Sequence, residues 1–581
     1  MKGPQLFLSG FVLVCGLGLL ARGMTTRAVT SPEDALWTLE HQILPGITLE
    51  PAQPPTDWGN TSRAFPSSAE SLPTVEAYPL FGAPAQAPNQ THTLRVEIVS
   101  SLEKADGGKA DRRWLVDAAE RFNERRERLG HQRIEVVVRP IPSGLAAQML
   151  IAGKLKAAAY SPASGQWLDL LRHQGLATET IHPALVNNAS VIALRGAVAR
   201  RIKPSGTPSF AEVVDHTLSG ELRMAYCNPY ICSPGLDFLH TLLWLSAGNG
   251  PKHTPLATGD LSRSAVTNSY DRFQQRIATT TPTYMEAIQI WTRQPNTYDA
   301  AVMAHQTYLR LRQEPGFEDL IAVPFGSPQS SPLAALPWAT ASEREALKRF
   351  ALFATAPALQ ALAREQDYNK VPQVDREASP PAASGAVLSR AQQLWKQRKD
   401  GGRTVYLQLV IDTSGSMNDG QRLGQVKKAI RAASTAINTG NQVGLITFGD
   451  RPTRQLPLAP MDEQGRQRLV ATVNHLQAYG TTALYDGVAV AMADLMQAQK
   501  KDPNGRFHLL LLSDGKATSG VTLDRLKDVM RHSGITIIPI AYGEMDQGEL
   551  QAIAKLRESV VYQGTPQRIL PLISDLFQTN L

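Results

Sequence analysis

The sequence predicts an α/β protein of two globular modules, and three observations carry that prediction. From residue 93 to about 370, strand-like runs alternate with amphipathic helical ones: "LRVEIVSS", "RRWLVDAAERFNERRERLG", "QRIEVVVRPI", "LAAQMLIAGKLKAAAY". Such alternation predicts a largely parallel sheet covered by helices. From 404 onward four apolar runs, "TVYLQLVID", "QVGLITFGD", "FHLLLLSDG" and "GITIIPIAYG", are too short to span a membrane. Runs that apolar predict strands buried on both faces of a parallel sheet. A length of 581 residues also exceeds what one hydrophobic core holds.

The elements follow in order. Residues 1–27 begin with Lys2 and the run "LFLSGFVLVCGLGLLA", of the length of a signal peptide or short anchor. Leu19, Leu20 and Ala21 match a cleavage site poorly, which leaves removal and anchoring equally open. "VLVCG" resembles a lipoprotein processing site at Cys15, with Val14 where a small residue is expected. Residues 28–92 are rich in proline, serine and threonine and predict a spacer that buries no core. The first module is expected over 93–371, a linker with "VDREASPPAASGAV" over 372–403, and the second module over 404–581. In the second module Leu423, Val426, Ile430 and Ala433 form one apolar stripe, and Val488, Met492 and Leu495 another, predicting covering helices and a doubly wound, three-layer unit.

Composition narrows the function. An apolar share of 43% and a charged share of 19% fit a globular chain rather than a disordered or many-span one. The net charge of +7 is small for this length, and no basic run interleaved with aromatics and no zinc-finger spacing occurs, so nucleic-acid binding is not expected. Membrane contact is expected through the N-terminal segment only. Cys227 and Cys232, five apart in "YCNPYICSPG", are close enough for a loop-closing disulfide and fit an oxidising, extracytoplasmic compartment. Free thiols packed in a core are the alternative, and a metal pair lacks companion ligands. Arg22 and Arg27 point the other way, since basic residues favour the cytoplasmic side.

In the first module small hydroxyls gather where strands end, the place where α/β sheets meet ligands. The order of segments, with "NPYICSPGLDFLHTLLWL", "YDAAVMAHQTYL" and "LPWATASEREALKRFALFATAPALQALAREQDYN", resembles the two-lobed solute-binding proteins of bacterial ABC transporters. The resemblance implies a periplasmic-binding-protein-like fold, with a small-molecule ligand clasped between hinged lobes. Ser101, Ser143, Ser161, Asn228, Ser233 and Tyr284 are the candidate hydrogen-bonding residues of that cleft. Binding proteins of that kind end after their closing helices, whereas this chain continues, so a recognition or docking role stands beside transport.

In the second module "VIDTSGSMNDG" ends a strand with Asp412, Ser414 and Ser416 at alternate positions; "YGTTALYDG" brings Thr481 and Thr482, and "LLLLSDGKATSG" ends another strand at Asp514. Two carboxylates and several hydroxyls at one sheet edge make an all-oxygen site suited to a hard divalent cation. Asp-x-Ser-x-Ser, then Thr, then Asp resembles the metal-ion-dependent adhesion site of von Willebrand factor type A domains. By that resemblance Asp412, Ser414, Ser416, Thr481 and Asp514 are the metal ligands, with Thr482 as the second-loop substitute. The cofactor is Mg2+ (or Mn2+/Ca2+), and the partner is a protein that completes the ion's coordination with an acidic residue. Catalysis is not expected: phosphoserine-type phosphatases need a second aspartate where Ser414 stands, no P-loop occurs, and no Gly-x-Ser-x-Gly elbow occurs at a strand-to-helix turn. The expectation is an envelope-anchored or secreted binding protein with metal-dependent adhesion. The alternatives are the substrate-binding component of a transport system, and an intracellular module working beside an ATPase.

Overall fold

The computed structural model describes residues 28–52, 72–83, 92–106, 112–543, 548–556 and 559–581. The expectations for residues 1–27 and for Cys15 therefore lie outside the described residues.

The C-terminal sheet has six strands in the spatial order Pro452–Pro460, Gln442–Phe448, Val405–Asp412, Arg506–Ser513, Thr536–Tyr542, Tyr562–Gly564. The first pairs antiparallel with its neighbour and all other pairings are parallel. The four apolar runs supply the inner strands, and their alternation sorts side chains to two faces. Leu407, Leu409 and Ile411 join one core with Leu423, Val426, Ile430, Ile573 and Phe577. Val410, Leu509 and Leu511 join the other with Val488, Met492, Leu495 and Met530. Both predicted stripes face inward, and the unit is three-layered. The edge strand Pro452–Pro460 escapes sequence reading because it carries three prolines, tolerable only where no neighbour requires their missing N–H groups.

The described parts of 28–92, where a spacer was expected, pack against both modules. Ser31 caps the helix Pro32–Thr38 by accepting from the Asp34 N–H, and Ala35, Leu39 and Ile43 enter the core of the C-terminal module beside Val529 and Met530. Burying each of the two larger side chains contributes about 1.5–3 kcal/mol. Glu50 then bridges to Thr453 on the edge strand, its N–H donating to the Pro452 carbonyl at 2.9 Å. Further on, Phe81 exchanges backbone hydrogen bonds with Val138 of the first module. The spacing of Ala35, Leu39 and Ile43 is helical, but the proline-rich surroundings hid it.

The first module holds two sheets. One runs Arg128–Leu129, Gln132–Pro140, Thr93–Ser100, Ala159–Ser161, Leu333–Ala335, Glu179–His182; the other runs Ile321–Gln329, Asn188–Leu194, Ala300–Ala304, Met224–Cys227, Thr279–Thr281. The chain crosses from the first sheet to the second before Asn188 and back after Gln329, which makes two lobes. Both sheets are mixed rather than largely parallel: Leu333–Ala335 and Ile321–Gln329 pair antiparallel with their neighbours. A chain that returns through the hinge enters its first sheet from the opposite side, and its strand direction reverses.

Residues 372–403 contain the helix Gly385–Arg398, capped by Ser384. Val387, Leu388, Leu394 and Trp395 join a single apolar core with Leu145, Trp167 and Leu171 of one lobe and Leu236, Phe238 and Tyr270 of the other. This stretch is a wedge that cements the lobes, where the sequence led us to expect a linker.

Candidate functional site

At the carboxyl edge of the C-terminal sheet, strand register sets the distances. Ile411 lies opposite Leu512, so Asp412 and Ser513, the last residues of their strands, meet at the sheet edge. Asp412 is fully buried: its Oδ1 accepts from the Ser414 N–H at 2.8 Å and its Oδ2 from the Ser513 hydroxyl at 2.6 Å. The Ser414 and Ser416 hydroxyls are 3.1 Å apart, and Ser416 Oγ donates to Asp514 Oδ1 at 2.8 Å. Four of the five expected ligands thus form one hydrogen-bonded chain across two loops.

Thr481 is placed nearby but turned. The Gly415 N–H donates to the Gly480 carbonyl at 3.0 Å, so the second loop abuts the first. Yet Thr481 Oγ1 donates to Asp450 Oδ1 at 2.8 Å and lies 3.1 Å from Ser519 Oγ, away from the four-residue chain. Thr482 is buried and stitches the third loop, its N–H donating to Thr518 Oγ1 at 2.9 Å. Beside Thr481 the ring of Tyr479 is 53% exposed and its hydroxyl donates to Glu50 of the N-terminal segment at 2.9 Å.

The electrostatics are those of a buried carboxylate with the Arg422 guanidinium at its rim. Burial pushes the Asp412 carboxyl up to about 6, against the hydrogen bonds from Ser414 and Ser513 that favour its ionised form. Arg422, first residue of the helix Arg422–Ala433, donates from Nη1 to Asp514 Oδ2 at 2.6 Å. Sequence reasoning missed Arg422, Ser513, Asp450 and Ser519. Ser513 adjoins Asp514 and was within reach; Arg422 carried no signal, because it reaches the site through the turn of residues 415–421.

The donor set tests the fit of a divalent cation. Among the described residues no group of three or more His, Cys, Asp or Glu is placed to hold a metal ion, so any cation here relies on hydroxyls as well. Two carboxylates with neighbouring hydroxyls suit a hard divalent cation that takes oxygen ligands and keeps waters. A groove of about 510 Å³ opens beside the site, lined in part by Tyr485, Ser519, Thr522, Asp524 and Glu549.

The expected cleft of the first module has a different fate. Between the lobes lies a cavity of about 50 Å³ lined in part by Glu103, Arg112, Ser143, Cys232, Ser233 and Tyr284. Small-molecule sites typically offer roughly 300–1,000 Å³. Ser143, Ser233 and Tyr284 reach this cavity, but Ser143 Oγ accepts from the Ala163 N–H at 3.2 Å and Ser233 Oγ from Trp167 Nε1 at 2.8 Å. Tyr284 is buried, which pushes its hydroxyl well above its ordinary range. Ser101, Ser161 and Asn228 are not among the lining residues. The ammonium of the buried Lys104 donates to Ser101 Oγ at 3.0 Å and to the carbonyls of Ser161 and Pro162 at 2.8 and 3.2 Å. Burial brings this ammonium down to about 7. Asn228 Nδ2 donates to Thr579 Oγ1 of the C-terminal module at 3.1 Å. Cys227 and Cys232 form a disulfide.

Residues 407–568 match the family described as von Willebrand factor type A domain, and residues 108–369 the family described as bacterial extracellular solute-binding protein. Calcium-activated chloride channel regulator 1 of Homo sapiens is 27% identical over 149 residues, which are 26% of this chain and 16% of that protein. Among solved structures, a von Willebrand factor type A protein from Catenulispora acidiphila aligns with TM-score 0.27 and 20% identity, over 30% of this chain and 42% of its own. A periplasmic thiamin binding protein aligns with TM-score 0.40 and 13% identity, over 54% and 99%. Iron-bound HitA from Pseudomonas aeruginosa aligns with TM-score 0.36 and 16% identity, over 53% and 99%. The chain thus joins a bacterial extracellular solute-binding domain to a C-terminal von Willebrand factor type A domain.

Proposed function

We propose that this chain is an extracytoplasmic binding protein, envelope-anchored or secreted and without catalytic activity, whose type A domain makes a metal-bridged contact with a protein partner. Asp412, Ser414, Ser416 and Asp514 hold Mg2+ (or Mn2+/Ca2+), Thr481 joins them by turning from Asp450, and an acidic side chain of the partner takes a remaining position on the ion. The observation that carries the reading is the hydrogen-bonded chain Asp412, Ser414, Ser416, Asp514 at two adjacent strand ends, with a buried carboxylate at its base. Hydroxyl ligands add no charge, so the ion stays electrophilic toward a partner's carboxylate. The adjoining groove leaves room for the chain that carries that carboxylate.

The first module then serves chiefly as a rigid platform. The small cavity, the engaged hydroxyls and the core shared by both lobes and the wedge helix support this over delivery of a solute to a permease. The extracellular family of the first module and the disulfide support placement outside the cytoplasm.

The test is calorimetric titration of the full chain with Mg2+ and Mn2+, beside Asp412→Ala. The full chain is required because Ala35, Leu39 and Ile43 belong to the type A core. Saturable binding lost in the variant supports the metal site; equal binding by both proteins sinks it.

A further inference from the structure

The turn Cys227–Asn–Pro–Tyr–Ile–Cys232 touches every body of the molecule. Within its own lobe, the Asn228 N–H donates to the Thr281 carbonyl at 2.8 Å, and Asn228 Oδ1 accepts from the Tyr230 N–H at 2.8 Å. Toward the other lobe, the Tyr230 carbonyl accepts from Gln148 Nε2 at 3.1 Å and the Ile231 carbonyl from the Gly144 N–H at 3.0 Å. A Cβ on Gly144 would lie 2.0 Å from the Tyr230 oxygen, so the lobes meet at backbone distance there. Toward the wedge helix, the Pro229 carbonyl accepts from Gln392 Nε2 at 2.9 Å and the Tyr230 ring packs 5.9 Å from that of Trp395. Toward the type A domain, Asn228 Nδ2 donates to Thr579 Oγ1 on the helix Ile569–Asn580.

Backbone carbonyls and one asparagine side chain make most of these contacts, so they depend on the turn's conformation more than on its side chains. The disulfide closes that turn at its two ends, and the helix Ser233–Ser246 begins hard against it: a Cβ on Gly235 would lie 2.1 Å from the Cys227 oxygen. Opening the ring returns conformational freedom to residues 228–231.

We infer that the Cys227–Cys232 disulfide is a redox-sensitive joint that keeps the type A domain and the wedge helix docked on the two-lobed module. A dithiol of the surroundings supplies the reductant. Its thiolate attacks Cys232, the more exposed of the two at 6% against 0% for Cys227, when local opening at the lobe boundary admits it. The Sγ–Sγ bond breaks, the protein takes up two electrons and two protons as two thiols, and the dithiol closes to its own disulfide. The turn then relaxes, and the hydrogen bonds to Thr579, Gln392, Gln148 and Gly144 loosen together. This inference does not depend on metal binding.

The experiment is hydrogen exchange on the full chain, oxidised and after treatment with excess dithiothreitol, with the thiol state read by mass. The reduced chain is expected to exchange about tenfold or more faster in Ile569–Asn580 and Gly385–Arg398, the change that losing one or two hydrogen bonds produces. Val405–Asp412, remote from the turn, is the internal reference and is expected to stay unchanged. Thr579→Val, kept oxidised, removes the partner of Asn228 without touching the turn and is expected to speed exchange in Ile569–Asn580 alone, which guards against misreading a general unfolding. Unchanged protection of both helices in the reduced chain, or a disulfide that dithiothreitol opens only after denaturation, overturns the proposal.

Discussion

At the end of Thr93–Ser100, Ser101 and the Ser161 and Pro162 carbonyls surround the chain's own ammonium on Lys104. At the end of Val405–Asp412, Asp412, Ser414, Ser416 and Asp514 hold one another, and the chain's own guanidinium on Arg422 reaches the second oxygen of Asp514 and the Ser416 carbonyl from the rim. Both are strand-end loop faces, where α/β sheets place ligands, and both are hydroxyl-rich. They differ in what closes over them. In the first module the second lobe closes against this face, and the cavity lined by both lobes holds about 50 Å³. In the type A domain nothing among the described residues covers Thr481, and the face adjoins a groove of about 510 Å³. A strand-end cluster of hydroxyls can serve as a site only where the tertiary structure leaves it open.

The comparison can be broken at its strongest point first. Asp412→Ala is expected to remove saturable Mg2+ and Mn2+ binding, a larger loss than the roughly 10–100-fold that removing a group behind a metal ligand costs, with the melting temperature moving by only a few degrees. Calorimetry and thermal unfolding read both. On the other face, Lys104→Met is expected to leave three buried acceptors short of a donor and to destabilise the first module by about 1–3 kcal/mol, measured by urea unfolding; no destabilisation would mean that Lys104 is only a lid on an open site.

Two smaller effects sharpen the contrast. Arg422→Gln is expected to tighten Mn2+ binding by roughly tenfold, because a cation that shares Asp514 with the ion is removed; weaker binding would make Arg422 a support of the site instead of a competitor. The last is a pH slope. Burial lowers the Lys104 ammonium to about 7 in the folded chain, from an ordinary 10.5. Between those values the unfolded chain binds the proton and the folded one does not, so stability rises with pH over that window. Lys104→Met is expected to flatten the rise, read as urea midpoints from about pH 7 to 10.

Much of this was legible beforehand. The inner strands of the type A sheet declared themselves because burial on both faces demands unbroken apolar runs, and the first and third loops followed from where those runs stop. The two-lobed module was legible as an order of segments, and its disulfide as a spacing. What was not legible has physical causes in each case. Ala35, Leu39 and Ile43 have no partner in their own stretch of sequence, and their role depends on Val529 and Met530 far along the chain. The return strand Leu333–Ala335 reverses direction because of a hinge crossing that no local pattern marks.

The sequence by itself determined which residues the chain carries to each sheet edge: Asp412, Ser414, Ser416 and Asp514 at one, Ser101, Ser143 and Ser161 at the other. Strand ends are set by local apolar patterning, and local patterning is written in the sequence. Only the tertiary structure decided which edge stays open, that Lys104 fills one face and Arg422 rims the other, and that Asn228 serves the joint between modules rather than a ligand. Those outcomes depend on segments tens to hundreds of residues apart arriving at the same place, and the pattern of any one segment carries no information about the others.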